Sequence, residues 1–365
     1  MVRVRDISIN KDRIQYFAEL LQNKNYLIEM ATEIRERRYG KNITYSKNVF
    51  LPIIKRCRNS CAYCGFSRDN DFYWLPLEQA KKTLQTSKKF GCKEALIVSG
   101  DKPEKKYSDV REYYEKQGVS STVEYAIFHI RQAIKFGLLP HANLGVLSQE
   151  DWSLLKPFVA SAGLMLETTS KELLKKGKPH YASPDKVPDK RIESIIWALK
   201  NKIPFTTGIL VGIGETVTER IKALLIIEEL FRKYGFIQEI IIQPFRPLKN
   251  TPMKNSAPPN NEEIFTITAL ARIILPSKIS IQVPPNLLEP SQILEVIEWG
   301  ANDLGGISPV TKDYVNFEYP WPKIDKIHKI LEKKGLEFNE RLAVYHDYYD
   351  FVGENVKPLL QEINF

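Results

Sequence analysis

Asn48-Val49-Phe50-Leu51-Pro52-Ile53-Ile54, then Cys57-Arg58-Asn59-Ser60-Cys61-Ala62-Tyr63-Cys64: an apolar run leads directly into three cysteines spaced C-x3-C-x2-C. The run reads as a buried parallel strand, and the cysteines sit on the loop that leaves it. Three thiolates on one tight loop can bind three irons of a [4Fe–4S] cluster. The fourth iron then lacks a protein ligand, and an open coordination position separates catalytic metal sites from closed structural ones. A zinc site or a fully wired four-cysteine cluster is the alternative, and both require a fourth ligand. The remaining cysteine, Cys92, precedes the next apolar run (Glu94–Ser99) and so falls at the other end of a parallel sheet. A six-residue strand spans about 20 Å, which puts Cys92 out of reach and makes it a small buried residue. His180, in a loop on the cysteine side, stays open as a fourth ligand.

Outward from this loop the chain alternates. Further strand-like runs lie at His141–Leu147, Gly163–Glu167, Phe205–Val211, Glu239–Gln243, Ile279–Val283 and, weakly, Ala301–Leu304. Amphipathic segments separate them: Leu77–Phe90, Ser121–Phe136, Ser148–Val159, Lys190–Asn201, Thr216–Tyr234, Asn261–Leu275, Ser291–Trp299 and Ile324–Lys334. Ser121 with Glu124, and Thr216 with Glu219, read as capping boxes. Eight strand–helix pairs predict a closed (β/α)8 barrel of the TIM type, with an open doubly wound sheet as the fallback. The expected organisation is an N-terminal helical extension over 1–43 (helix from Lys11 to Arg38), a barrel over 44–335, and a tail over 336–365 packed on the barrel. In a barrel the loops after the strands form the active site, so the cysteines lie at its mouth.

Composition bounds the rest. A chain of 365 residues needs no metal to stabilise its core. Met1-Val2-Arg3-Val4-Arg5-Asp6 lacks the apolar region of a signal peptide, and the longest apolar stretch, near Leu224–Ile227, is far short of a membrane span. A cytoplasmic protein with no membrane contact is expected, with its clustered cysteines serving metal chemistry rather than disulfides. The net charge of +9 raises nucleic acid as a partner. Pairs such as Lys81-Lys82 and Lys333-Lys334 are scattered among glutamates, the pattern of solvated helix faces, which counts against it.

The cysteine spacing, with aromatic Tyr63 before the last cysteine, resembles the signature of the radical S-adenosylmethionine (SAM) superfamily. The resemblance implies that SAM chelates the open iron and that its reductive cleavage yields a 5′-deoxyadenosyl radical. It assigns Tyr63, Gly100 and Asp101 to the SAM site, although Ser99-Gly100-Asp101 departs from the usual Gly-Gly-Glu. Likeness to the biotin-synthase-like branch gives Glu167 the ribose and Arg191 the SAM carboxylate. Gly208-Ile209-Leu210-Val211-Gly212-Ile213-Gly214-Glu215 resembles the G-x-I-x-G-x-x-E element, whose backbone, through Gly212 and Gly214, flanks adenine. Thr168, Gln243, Arg246, Asn302 and Asp303 are the candidates for substrate contacts at the same mouth, and no catalytic acid or base is assigned.

Longer runs narrow the likeness. Gly91–Leu96, Pro204–Glu215 and Gly300-Ala301-Asn302-Asp303-Leu304-Gly305-Gly306-Ile307-Ser308, within a match from about Asn48 to Trp321, resemble the smaller subunit of the 7,8-didemethyl-8-hydroxy-5-deazariboflavin synthase family. That family implies ring closure of a 4-hydroxybenzyl–ribityl diaminouracil adduct with loss of ammonia, giving the deazaflavin of coenzyme F-420. A companion radical SAM subunit would supply the adduct and a reducing donor the electron. Another biotin-synthase-like enzyme acting on a different small molecule, an RNA-modifying radical SAM enzyme and an iron–sulfur electron carrier are the competing readings.

Overall fold

The structure, a computed structural model, describes residues 9–68 and 74–363; the Met1–Asp6 stretch lies outside them. Eight strands form the barrel: β1 Asn42–Ile54, β2 Glu94–Ser99, β3 Leu139–Asn143, β4 Ser161–Gly163, β5 Phe205–Val211, β6 Ile237–Pro244, β7 Ser280–Gln282 and β8 Asp303–Ile307. Each pairs in parallel with the next, and β8 returns to β1 through Thr44↔Asp303, Ser46↔Gly306 and Lys47↔Ile307, which closes the sheet. Parallel pairing demands long crossovers, and helices supply them: α3 Leu77–Lys89, α4 Ser108–Lys116, α5 Thr122–Lys135, α6 Gln149–Leu155, α7 Pro188–Lys200, α8 Val217–Tyr234, α9 Asn261–Ile274, α10 Gln292–Glu298 and α11 Ile324–Glu332. The chain is therefore the expected (β/α)8 barrel with N-terminal helices and a C-terminal tail.

Local chemistry sets the boundaries. Thr216 and Glu219 close a reciprocal capping box at the start of α8. The Ser121 box is only half made: Ser121 accepts from the Glu124 amide, but the Glu124 carboxylate turns to the amide and hydroxyl of Ser120. The long N-terminal helix breaks in two, α1 Lys11–Leu20 and α2 Lys24–Tyr39, because Asn23 caps a new start by accepting from the Tyr26 amide. These helices lie on α8 and α9.

Several strands differ from expectation. β1 begins at Asn42, six residues before the expected Asn48. β3 stops at Asn143, before Gly145 turns the chain with φ +79°. β4 is three residues long; Glu167, expected at its end, takes a left-handed backbone (φ +66°) and rejoins the sheet by a lone bridge to Ile209. β8 runs Asp303–Ile307 rather than Ala301–Leu304. Gly305 and Gly306 lack the side chains by which a strand announces itself, so the sequence pattern ends too early.

The tail does more than pack. β9 Glu337–Arg341 pairs in parallel with Asn42–Ser46, the lower half of β1, below β2. Its last residue, Arg341, enters the barrel floor. Nη2 contacts Glu239 at 2.6 Å, and Nε contacts Asp303 at 2.6 Å. The Tyr345 hydroxyl donates to Asp303 and Glu239, and Glu94 accepts from the Ser46 hydroxyl nearby. A short tail helix, α12 Lys357–Ile363, then packs beside β3 through Leu359 and Leu360.

Burial pushes the Glu239 carboxyl up to about 8, with Arg341 opposing the shift and Asp303 adding to it. A carboxyl raised above its unfolded value holds a proton in the folded state that the unfolded chain has released, so its contribution fades as pH rises towards 8. Chemical denaturation between pH 5 and 8 should show stability falling with pH, and Glu239→Gln should flatten that slope. Arg341→Leu leaves the buried Asp303 carboxylate and the Glu239 carboxyl without their guanidinium and should cost about 3–5 kcal/mol in the same assay.

Candidate active site

The loop after β1 crosses the barrel mouth, and each residue of its cysteine segment is anchored. The Arg58 guanidinium pairs with the Asp185 carboxylate. Asn59 donates to Asp101 at 3.3 Å and accepts from the Asp185 amide at 3.1 Å. The Ser60 amide donates to the Ser183 hydroxyl, and the Ala62 amide to the Pro179 carbonyl. Arg68 donates to the carbonyls of Cys61 and Cys64. The three spacer residues of C-x3-C thus tie the loop to segment 179–185 and to the loop after β2.

This anchoring brings Cys57, Cys61 and Cys64 to the wall of one cavity of about 200 Å³. Burial pushes the Cys57 thiol up to about 12 and the Cys64 thiol up to about 11 in the metal-free fold. Among the described residues no three His, Cys, Asp or Glu side chains stand close enough to hold a single metal ion. Cys92 is buried in the core, its thiol donating to the Asn48 carbonyl at 3.3 Å.

Glu167 is the electrostatic focus of the cavity. Its carboxylate accepts from the Tyr63 hydroxyl at 2.7 Å, pairs with Lys186, and lies 3.3 Å from His180 Nε2 and 3.7 Å from Arg191 Nη2. Burial works against the charge, but Lys186 and Arg191 outweigh it and hold the carboxyl well below its usual range. The strained backbone at Glu167 aims the side chain inward. Asp101 faces it across the cavity: its amide donates to Cys57 Sγ at 3.2 Å, its Oδ2 accepts from Asn59 and the Val146 amide, and its buried Oδ1 has no protein partner. Burial and the nearby Asp185 raise the Asp101 carboxyl to about 6.

Of the sequence candidates, Cys57, Cys61, Cys64, Tyr63, Gly100, Asp101, Glu167, Arg191 and Gln243 line this cavity. Gly100 acts by absence: a Cβ there would lie 1.9 Å from the Arg56 carbonyl oxygen. Gly212 and Gly214 stand behind the wall. The Glu215 carboxylate accepts from the amides of Gly212 and Ile213 and from Arg220, a turn that packs Ile213 and Leu210 with Phe245 beside Tyr63.

Four expectations are corrected. The Thr168 hydroxyl accepts from the Ser170 amide outside the cavity. Arg246 is spent on the Leu287 carbonyl, fixing a loop. Asn302 and Asp303 open β8 instead of closing it. They lie at the floor, where Asn302 bonds Arg272, Ser280 and the Ile281 amide, and Asp303 bonds Arg341. The sequence reading missed Lys186, His180 as a partner of Tyr63, and Asp185. No local spacing marks them, since their partners are 19–127 positions away.

A three-thiol loop at the mouth of a closed parallel barrel, beside a buried carboxylate and two cations, defines the class of radical SAM enzymes. Residues 51–226 match the profile of the radical SAM superfamily. Solved structures agree in fold. The FeFe-hydrogenase maturase HydG of Carboxydothermus hydrogenoformans superposes with a TM-score of 0.71 at 20% identity, covering 93% of this chain and 82% of that one. Methylornithine synthase gives 0.67 at 20%, covering 90% and 91%. More specifically, the chain is 46% identical over 329 residues to the 7,8-didemethyl-8-hydroxy-5-deazariboflavin synthase of Methanococcoides burtonii, covering 88% of this chain and 96% of that protein. It is 42% identical over 310 residues to that of Methanopyrus kandleri, covering 84% and 92%. The chain belongs to the 7,8-didemethyl-8-hydroxy-5-deazariboflavin synthase family.

Gly100→Ala forces the backbone of Arg56 and Cys57 away from the loop after β2. Iodoacetamide should then alkylate Cys57 and Cys61 of the metal-free protein several-fold faster than in the unaltered chain, by mass spectrometry, while Cys92 stays protected.

Proposed function

We propose that this chain closes the deazaflavin ring of 7,8-didemethyl-8-hydroxy-5-deazariboflavin, acting on the 4-hydroxybenzyl–ribityl diaminouracil adduct with release of ammonia. The observation that carries the reading is the convergence of three thiols, Asp101 and Glu167 on one cavity in a chain of this family. The donor set fits the family's cofactors: Cys57, Cys61 and Cys64 for three irons of a [4Fe–4S] cluster, and the unpartnered Asp101 Oδ1 for a SAM ammonium. When bound, the reduced cluster and SAM together supply a 5′-deoxyadenosyl radical that takes a hydrogen atom from the substrate.

The chain's own residues have definable tasks. Glu167 stays ionised at neutral pH and offers its oxygens to a ribose diol. Arg191 donates through Nε to the Met165 carbonyl and through Nη1 to the Asp185 carbonyl, so its cationic head is held at the rim for a carboxylate. Leu210, which lines the cavity with Leu173, Ile213 and Phe245 packed behind it, offers an apolar surface to the face of an adenine. Enclosing walls keep water and stray hydrogen donors from a reactive radical.

One C-x3-C-x2-C motif supports one radical site, so a companion radical SAM subunit delivers the adduct and a reducing donor delivers the electron. No described helix is long and apolar enough to cross a membrane, and the free thiols suit the reducing cytoplasm in which this reading puts the enzyme.

Anaerobic incubation of the reconstituted protein with SAM, dithionite and purified adduct should yield the fluorescent deazaflavin and 5′-deoxyadenosine. Tyrosine and the diaminouracil supplied separately should yield no deazaflavin without the companion. SAM cleavage without product from the adduct would instead favour another small-molecule substrate. Alanine at Cys57, Cys61 or Cys64 should abolish the reduced-cluster EPR signal, and alanine at Cys92 should leave it. Glu167→Gln should weaken SAM binding by about 1–3 kcal/mol in equilibrium titration.

A further inference from the structure

Below the cysteine pocket the lumen continues into a second chamber of about 180 Å³; Asn143, Leu164, Met165, Gln243 and Val315 face both. Alternate strand residues point inward, and here they bring carboxamides from around the barrel: Asn48 of β1, Asn143 of β3, Gln243 of β6, Gln282 of β7 and, just beyond, Asn286. The side chains of Asn143, Gln243 and Gln282 hydrogen-bond no other described residue. Asn286 donates from Nδ2 to Asp313 and to the Tyr319 carbonyl, which leaves its Oδ1 buried and unpartnered. Asn48 Oδ1 and Trp321 Nε1, on the same walls, are likewise buried without partners.

The fold makes room for these amides. A Cβ on Gly305 would lie 2.0 Å from Gln282 Nε2, and one on Gly306 would lie 2.1 Å from Asn48 Nδ2. The paired glycines of β8 therefore exist, in physical terms, so that two carboxamides can occupy the lumen. The charged groups are engaged: Arg341, the one cation among the described lining residues, is taken by Asp303 and Glu239, Glu94 accepts from Ser46, and Asp313 accepts from Asn286 and Asn316. A phosphate, or the carboxylate of a free amino acid, would find no unpaired cation there. A neutral ring carrying N–H and C=O side by side finds groups that both donate and accept.

We propose that this chamber reads the dioxopyrimidine edge of the substrate, with Gln282, Asn48 and Asn286 on the imide and Gln243 and Asn143 at the junction with the cysteine pocket. The assignment rests on the deazaflavin-synthase reading and deepens it. It puts the uracil ring low in the barrel and the benzyl carbon above, towards the radical source.

Gln282→Met and Gln243→Met test this cleanly, because each replacement keeps the shape of the side chain and breaks no internal hydrogen bond. In the reconstituted, SAM-loaded protein, binding of purified adduct is followed by tryptophan fluorescence. Each variant should weaken adduct binding by about tenfold or more with the thermal midpoint unchanged, and Gln282→Met, whose side chain lines only the lower chamber, should also leave SAM affinity unchanged. Free tyrosine should not bind the chamber of the unaltered protein. If the unaltered protein binds and converts the adduct but both variants bind it equally well, the chamber assignment falls and the reaction stands. If the SAM-loaded unaltered protein fails to bind the adduct at all, both fall.

Discussion

Closure of the parallel sheet between β8 and β1 is the constraint on which the rest depends. β1 is the longest strand, and it serves three partners: β8 along one edge, and β9 then β2 along the other. A strand so placed cannot shift register without opening the barrel and inverting its faces. Its upper end therefore holds the cysteine loop at the mouth, while Asn48, in mid-strand, faces the lumen. The mouth and the chamber are two consequences of one register.

The barrel buries charge at both ends, and it does so in the same way. At the floor Glu239 and Asp303 share Arg341 and Glu94 lies close by, with hydroxyls of Thr44, Ser46, Thr206 and Tyr345 completing the hydrogen bonding. At the mouth Glu167 shares Lys186 and Arg191 with help from Tyr63 and His180. The outcomes differ because the ratios differ. Two cations about one carboxylate keep Glu167 ionised, whereas one guanidinium among several carboxylates leaves Glu239 raised. Between these polar ends lies an amide-lined middle.

Much of the fold was legible locally. The alternation of β-rich runs and amphipathic segments exposed all eight barrel strands, and β2 and β5 were placed with their observed ends. What escaped had a physical reason. β9 contains Glu337, Asn339, Glu340 and Arg341, polar because it lies at the edge of the barrel and reaches its buried floor with a charge. β8 was read two residues early because Gly305 and Gly306 give it no strand signature. That small slip sent Asn302 and Asp303 to the wrong end of the barrel, since position along a strand decides between mouth and floor.

By itself the sequence determined the cysteine spacing, the alternation that makes a barrel, and the caps that start its helices, all of which are interactions among residues a few positions apart. Only the tertiary structure decided that Lys186 and His180 meet Glu167, that Arg58 clasps Asp185, that Arg341 seals the floor, and that five carboxamides from four strands and a turn share one chamber. These residues are brought together by barrel closure, and a contact made through closure leaves no mark on the local pattern of either partner.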